Sequence, residues 1–364
     1  MSPPATPARF GRAAGIILQP ALNLFAALLL SGLLIRLIGE NPLRAFQLMA
    51  AGAFGSSDAW GYTLYYATNF IFTGLAVAVA YQAGLFNIGA EGQAYIGGLG
   101  VGLVGLAGGH WPFWLVLPAA VGAAALGGAA WALIPAWLQA RRGSHIVITT
   151  IMFNFIASAL MTWLLVNVLI KPGQQSPETR EFAESTWMPT AQGLLAKLGS
   201  TASAGPLNLA FPLALGACAL VWLVVWHTRW GYALRVAGTN PAAALYAGIS
   251  PSRTVVAAML CCGALAGGLG LNELLGVQHR ISLDFPAGAG FVGIAVALMG
   301  RNHPVGIAIA AVLFGALVQG GSELSFDMPH VNRDLVVVIQ GLVILFCGAL
   351  QSGLWKRRRQ RRAA

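Results

Sequence analysis

Charge is what this sequence has least of. Only 9% of its 364 residues are Asp, Glu, Lys or Arg, against about 25% in soluble domains, and that excludes a chain that wraps itself in water. Lysine is scarcer still: Lys171, Lys197 and Lys356 are the whole supply, and none follows a glycine. A G-x-x-x-x-G-K-S/T phosphate loop is therefore absent, so the chain is not expected to hydrolyse nucleotide itself. The four cysteines, Cys218, Cys261, Cys262 and Cys347, sit in apolar runs without metal-ligand spacing and read as packing. No H-E-x-x-H or C-x-x-C occurs, and Ser, His and carboxylates never gather. No catalytic site, metal site or bound cofactor is expected.

What is present is apolar length. Hydrophobic residues make up 57% of the chain and mean hydropathy is +0.72, which places it among polytopic membrane proteins. The expected fold is all-α, with about ten spans near 15–38, 62–83, 89–108, 113–138, 146–170, 210–228, 253–275, 287–300, 304–323 and 333–352. The eighth is short and rich in glycine. No soluble domain is visible, so residues 1–364 read as one transmembrane domain. The longest polar stretch, 171–209, reads as an external loop with a short helix near 190–198. The first apolar segment is too long for a signal-peptide core.

Charge supplies the orientation. With the amino terminus inside, the segments 1–14, 139–145, 229–253, 301–303 and 353–364 hold 14 of the 21 basic residues, and orientation follows Lys and Arg in short loops. Both termini are then cytoplasmic. Of the 11 acidic residues, only Glu91 does not fall on or near the outer side. The net charge of +10 could suggest nucleic acid, but the tail WKRRRQRR follows an apolar span directly. It reads as an anchor at anionic membrane lipid, with no nucleic acid as partner.

One polar knot interrupts this pattern: NIGAEGQ, residues 87–93. Residues 94–109 supply only 16 positions, about 24 Å of helix against an apolar core of about 30 Å. The third span must then begin near Ile88 or Gly89, with Glu91 in its first turn, where the helix dipole favours a carboxylate. Two readings stay open. In one, Glu91 caps a helix at the cytoplasmic interface; in the other, Asn87, Glu91 and Gln93 line a polar path, since intramembrane carboxylates are usually functional. In GSHIVITTIMFNF, Thr150 and Asn154 share a face of the fifth span. Asn154 is a candidate for the same lining or for joining two helices, and the threonines for bonding back to their own helix. Gly263 and Gly267 form a G-x-x-x-G step that permits close helix approach.

The segment GTNPAAALYAG, 238–248, has a different grammar. Asn240 is a good N-cap, Pro241 suits the first helical position, and Gly248 can end the helix in the left-handed conformation. A helix of two turns is marginal alone and needs a surface to pack on.

The run TGLAVAVAYQAGLFNIGAEGQ (73–93) resembles the signature of permease subunits of ABC importers, in the branch serving ribose, branched-chain amino acids and nucleosides. It is most similar to nucleoside and simple-sugar permeases. NPLRAFQLMAAGAFGS (41–56), GSHIVITTIMFNFIA (143–157), NPAAALYAGIS (240–250) and GFVGIAVALMGRNHPVG (290–306) extend the likeness in order. One departure is Ile146, where relatives often carry an acid. The resemblance implies a multi-pass protein of the bacterial inner membrane whose central helices form the translocation path. It implies a coupling helix at 240–248 that docks on a cytoplasmic ABC ATPase through Leu245 and Tyr246, with ATP and Mg used by that partner. It also implies an external substrate-binding protein, and a second permease subunit in a heterodimer. The expected cargo is a small uncharged polar solute, a nucleoside, with a pentose-type sugar as alternative. An ion-coupled carrier is the contrasting reading. It is disfavoured because mid-span titratable groups reduce to Glu91, with Glu273 and Glu323 near the outer ends.

Overall fold

A computed structural model of the protein describes residues 25–197, 203–328 and 336–343, with 22, 199, 345 and 346. Among these residues the structure is helical without a strand, and one antiparallel bridge joins Thr190 to Asn208. The basic segments 1–14 and 353–364 and Cys347 lie outside the described residues. The chain forms two compact units, one of residues 1–52 with 320–364 and the other of residues 53–319.

The first unit is built on a sharply bent pair. Helix α1, Phe25–Leu37, turns through 119° into α2, Pro42–Phe54. Gly39 in the break has φ +94°, and Asn41 Oδ1 accepts from Leu43 N at 3.0 Å to start α2. Gly320 meets Met49 backbone so closely that a Cβ would lie 2.2 Å from its carbonyl oxygen. Of the expected span 333–352, residues 336–343 are helical.

In the second unit, burial sorts helices that composition cannot. Helix α3, Ser57–Gln82, is capped by Ser56, whose hydroxyl accepts from Ala59 N at 3.0 Å. Every residue from Ala67 to Ala80 is buried, the mark of a central helix enclosed on all sides. Helices α5 (Phe113–Arg142) and α6 (Ile146–Asn167) are equally apolar but each buries one stripe. In α6 the stripe is Ile146, Thr150, Asn154, Ala157, Met161 and Leu165. Their other faces are free to meet lipid. Helix α4, Ala90–Ala107, lies against α5, where it brings Gly97 to Gly267 of α11 (Pro251–Gly267). Gly128 of α5 and Gly263 of α11 touch through backbone; a Cβ on either would come within about 2 Å of the other's carbonyl. The G-x-x-x-G step is therefore a helix crossing.

The remaining elements surround this core. A 3-10 turn, Glu184–Thr186, and α7, Ala191–Lys197, lie in the loop 171–209. Then come α8 (Ala210–His227), α9 (Arg229–Thr239), α10 (Pro241–Tyr246), α12 (Ala289–Met299) and α13 (Pro304–Asp327). Beyond α11 the chain continues as a π-helical stretch, Leu271–Gln278, and a link with left-handed His279, Asp284, Ala287 and Gly288. The loop holds this link by backbone: Phe182 N donates to His279 O at 2.7 Å and Met188 N to Leu275 O at 2.8 Å. Trp187 stacks on His279 at 3.9 Å, and Arg280 pairs with Glu178 at 3.2 Å. Burial there pushes the His279 imidazole below its ordinary pKa, because the cation would lose its water.

Six helices among the described residues are long and apolar enough to cross a membrane, or seven if α1 and α2 count as one bent span. The expected ten are thus not all reproduced. Helix α4 carries Glu91 and Gln93, and α12 has only 11 residues, about 17 Å.

The Gly128–Gly263 crossing gives a direct test. Gly263→Leu should lower the thermal midpoint of the full chain in detergent, by the about 1–3 kcal/mol of an overpacked contact or more. An unchanged midpoint would show that α5 and α11 do not meet there.

Candidate functional site

Helix α3 cannot run into α4. Gly84 adopts φ +74°, and the backbone of residues 83–89 leaves the helical ladder. At that depth each freed N–H and C=O needs a protein partner, and the amides of NIGAEGQ provide them. Asn87 Oδ1 accepts from Gly89 N at 2.9 Å. Asn87 Nδ2 donates to Gln93 Oε1 at 3.0 Å, and both side chains are buried. Asn154 reaches across from α6 and clamps the same strip twice. Its Oδ1 accepts from Gly92 N and its Nδ2 donates to Ile88 O, both at 2.9 Å. Thr150 bonds back to Ile146 O at 2.8 Å, and Thr149 to the same carbonyl at 3.0 Å.

Glu91 does stand in the first turn of α4, but its carboxylate serves another helix. Oε1 accepts from Gly288 N at 2.8 Å and Oε2 from Gly290 N at 2.6 Å. Those are donors at the start of α12, which has no side-chain cap of its own. Position 290 must be glycine, since a Cβ would lie 2.3 Å from Glu91 N. One residue thus satisfies the dipole of its own helix by position and that of a second helix by contact. Thr73 of α3 donates to Ala289 O at 3.0 Å. Asn87, Glu91, Gln93 and Asn154, the four residues singled out from the sequence, are brought together here by α3, α4, α6 and α12.

A second buried polar cluster was missed from sequence. Glu273, 8% exposed, accepts from Tyr65 Oη and Asn69 Nδ2, both at 2.6 Å, and from Gln278 Nε2 at 3.0 Å. Asn272 donates to Tyr65 O and Asn69 Oδ1, and Asn208 donates to Asn272 Oδ1 at 2.9 Å. No basic side chain pairs with Glu273 among the described residues; neutral donors satisfy its carboxyl oxygens. The available signal was the four-residue spacing of Tyr65 and Asn69, which puts both on one face of α3. Their partner lies some two hundred positions away, and nothing local announces it.

The segment 229–253 forms an elbow of two helices. Thr228 caps α9, its hydroxyl accepting from Gly231 N at 3.1 Å. Asn240 ends α9 by donating its N–H to Val236 O, and starts α10 by accepting from Ala243 N at 3.1 Å. Pro241 opens α10, and Gly248 follows it at φ +74°. Ala244 is buried, whereas Leu245 is 64% and Tyr246 95% exposed. No group of His, Cys, Asp and Glu suited to a metal occurs among the described residues.

Residues 60–348 match the family described as branched-chain amino acid transport system / permease component. A glucose ABC transporter permease protein of Haloferax volcanii is 33% identical over 349 residues, 93% of this chain and 88% of that one. A guanosine ABC transporter permease protein of Bacillus subtilis is 33% identical over 91% of this chain and 92% of its own length. A nucleoside ABC transporter permease protein of Lactococcus lactis is 32% identical over 91% and 90%. No solved structure matches.

Replacing Asn154 by Leu keeps the branched outline of the side chain but strands Gly92 N–H and Ile88 C=O. The full chain should lose about 1–3 kcal/mol of stability for each orphaned group, read as a lower thermal midpoint. A midpoint equal to wild type would place the 87–93 break under other control.

Proposed function

The chain belongs to this family of transport-system permease components, and from that premise we propose that it is the membrane subunit of an ATP-driven importer that moves a nucleoside inward by alternating access. The relatives from Bacillus subtilis and Lactococcus lactis, named for guanosine and for nucleosides, support that cargo. A simple sugar is the second reading, supported by the relative named for glucose at the same 33% identity. Amide-rich, nearly uncharged spans suit either solute.

The observation that carries the reading is the elbow at Asn240. A six-residue helix, capped at its start and stopped by a left-handed glycine, presents Leu245 and Tyr246 outward. Such a short helix lasts only when it packs on a surface, and a large aromatic exposed at its end is the residue type that anchors interfaces. In our reading it docks on a cytoplasmic ABC ATPase that holds ATP and Mg. Closure of that partner pushes α10 and α9, and these act on α3 and α11. A binding protein delivers the solute outside, and a second permease chain completes the path. Residues 1–364 serve as one permease domain in the inner membrane with both termini inside. Asn87, Glu91, Gln93 and Asn154 are assigned to the path as the groups that hold its helices in register.

In vesicles, uptake should require ATP and the binding protein, and uptake that survives ATP depletion would remove the proposal. Tyr246→Ser should reduce solute moved per ATP by about tenfold, about 1.4 kcal/mol of lost docking; an unchanged ratio would remove α10 from the coupling path. Glu91→Ala should assemble normally yet transport more slowly, through a loosened α12. Normal uptake by that variant would leave Glu91 a cap alone.

A further inference from the structure

The end of α3 and the elbow helix α9 line a half-open cleft of about 650 Å³, within the range of small-molecule sites, about 300–1,000 Å³. Its lining includes Tyr81, Gln82, Phe86, Arg235 and Thr239. Its floor is a backbone junction in which Gly84 and Gly238 press together, so that a Cβ on Gly84 would lie 2.7 Å from Gly238 O. Neither glycine has room for a side chain, and the space above them is left open.

The chemistry of the walls narrows the occupant. Arg235 donates through Nε to Gly231 O at 3.3 Å, and no carboxylate pairs with its guanidinium among the described residues. Two forked donors are thereby available to an anion, and that fork matches phosphate. Tyr81 is 51% and Phe86 36% exposed, offering flat apolar surface beside the cation. Gln82 anchors one amide hydrogen to Asn302 O at 3.3 Å, which leaves its oxygen free to accept. A cation, two aromatic faces and an amide acceptor around one cavity suit a phosphate joined to a ring or an apolar body.

We propose that this cavity is a binding site for a phosphate-bearing molecule, with the phosphate on Arg235 and the apolar part on Tyr81 and Phe86. The occupant could be a free mononucleotide or the headgroup of an anionic lipid, since both carry that chemistry to the cytoplasmic side. Either bridges α3 to α9 and stiffens the joint between the central helix and α10. The site is independent of which solute the importer carries.

The test is native mass spectrometry of the full-length chain released from detergent, titrated separately with guanosine monophosphate and with phosphatidylglycerol. No ATPase is present to bind nucleotide. The expected result is one bound guanosine monophosphate or one retained phosphatidylglycerol on wild type, the adduct mass telling the sources apart. Its affinity should fall at least about tenfold in Arg235→Gln, the loss of one charge-assisted contact. Tyr81→Ala, a change at a half-exposed side chain, should weaken the same adduct and guards against misfolding of the first variant. Equal binding by wild type and both variants, or binding of neither probe, would overturn the proposal.

Discussion

Within an apolar medium, a backbone group released by a broken helix must be bonded by protein, because no water is there to do it. Unit 53–319 breaks its helices at 83–89, at 279–288 and at 300–303, and side chains beside the first break bond the backbone of the other two. Glu91, just past the first break, bonds Gly288 and Gly290 at the second. Gln82, just before the first, bonds Asn302 O at the third. Asn154 then fixes the first break to α6. These three ties make α3, α4, α6, α12 and the start of α13 one connected structure, so a displacement applied to any of them is felt by the rest.

Close packing complements this polar repair. Apolar area alone cannot drive helices together in lipid, since the lipid tail is as apolar as leucine. Close backbone approach and hydrogen bonds must do it. Gly128 against Gly263 and Gly97 against Gly267 bring α5, α11 and α4 into backbone contact. On the next face of α4, Gly98 receives the ring of Phe285 and Gly102 the side chain of Ile281, so the link after the π-helical stretch is seated in a groove cut by absent side chains. Both arrangements leave little room for any added side chain at the contact.

The elbow at Asn240 connects this unit to its proposed energy source. Asn240 closes α9 with its backbone and opens α10 with its side chain, so the two helices pivot on one residue. Helix α9 in turn meets the end of α3 through Gly238 and Gly84. A push on Tyr246 therefore has a short path to the most buried helix of the unit.

Much of this was legible in the chain itself. Apolar length announced membrane helices; Asn240, Pro241 and Gly248 announced α10 within a residue; Gly263 and Gly267 announced a crossing, because caps, prolines and small residues act on their immediate neighbours. The helix count was less legible. Glu91, Gln93 and the glycines dilute α4, and α12 starts where Glu91 caps it from outside, a contact 197 residues away in sequence. How far each helix is buried was also hidden, since α6 has the higher mean hydropathy, 1.8 against 1.4 for α3, yet α3 is the one enclosed. The partners of Glu91, Asn154 and Glu273 were decided by tertiary structure alone. A side chain's own neighbours set whether it can bond, whereas what it bonds depends on which distant backbone the packing delivers to it.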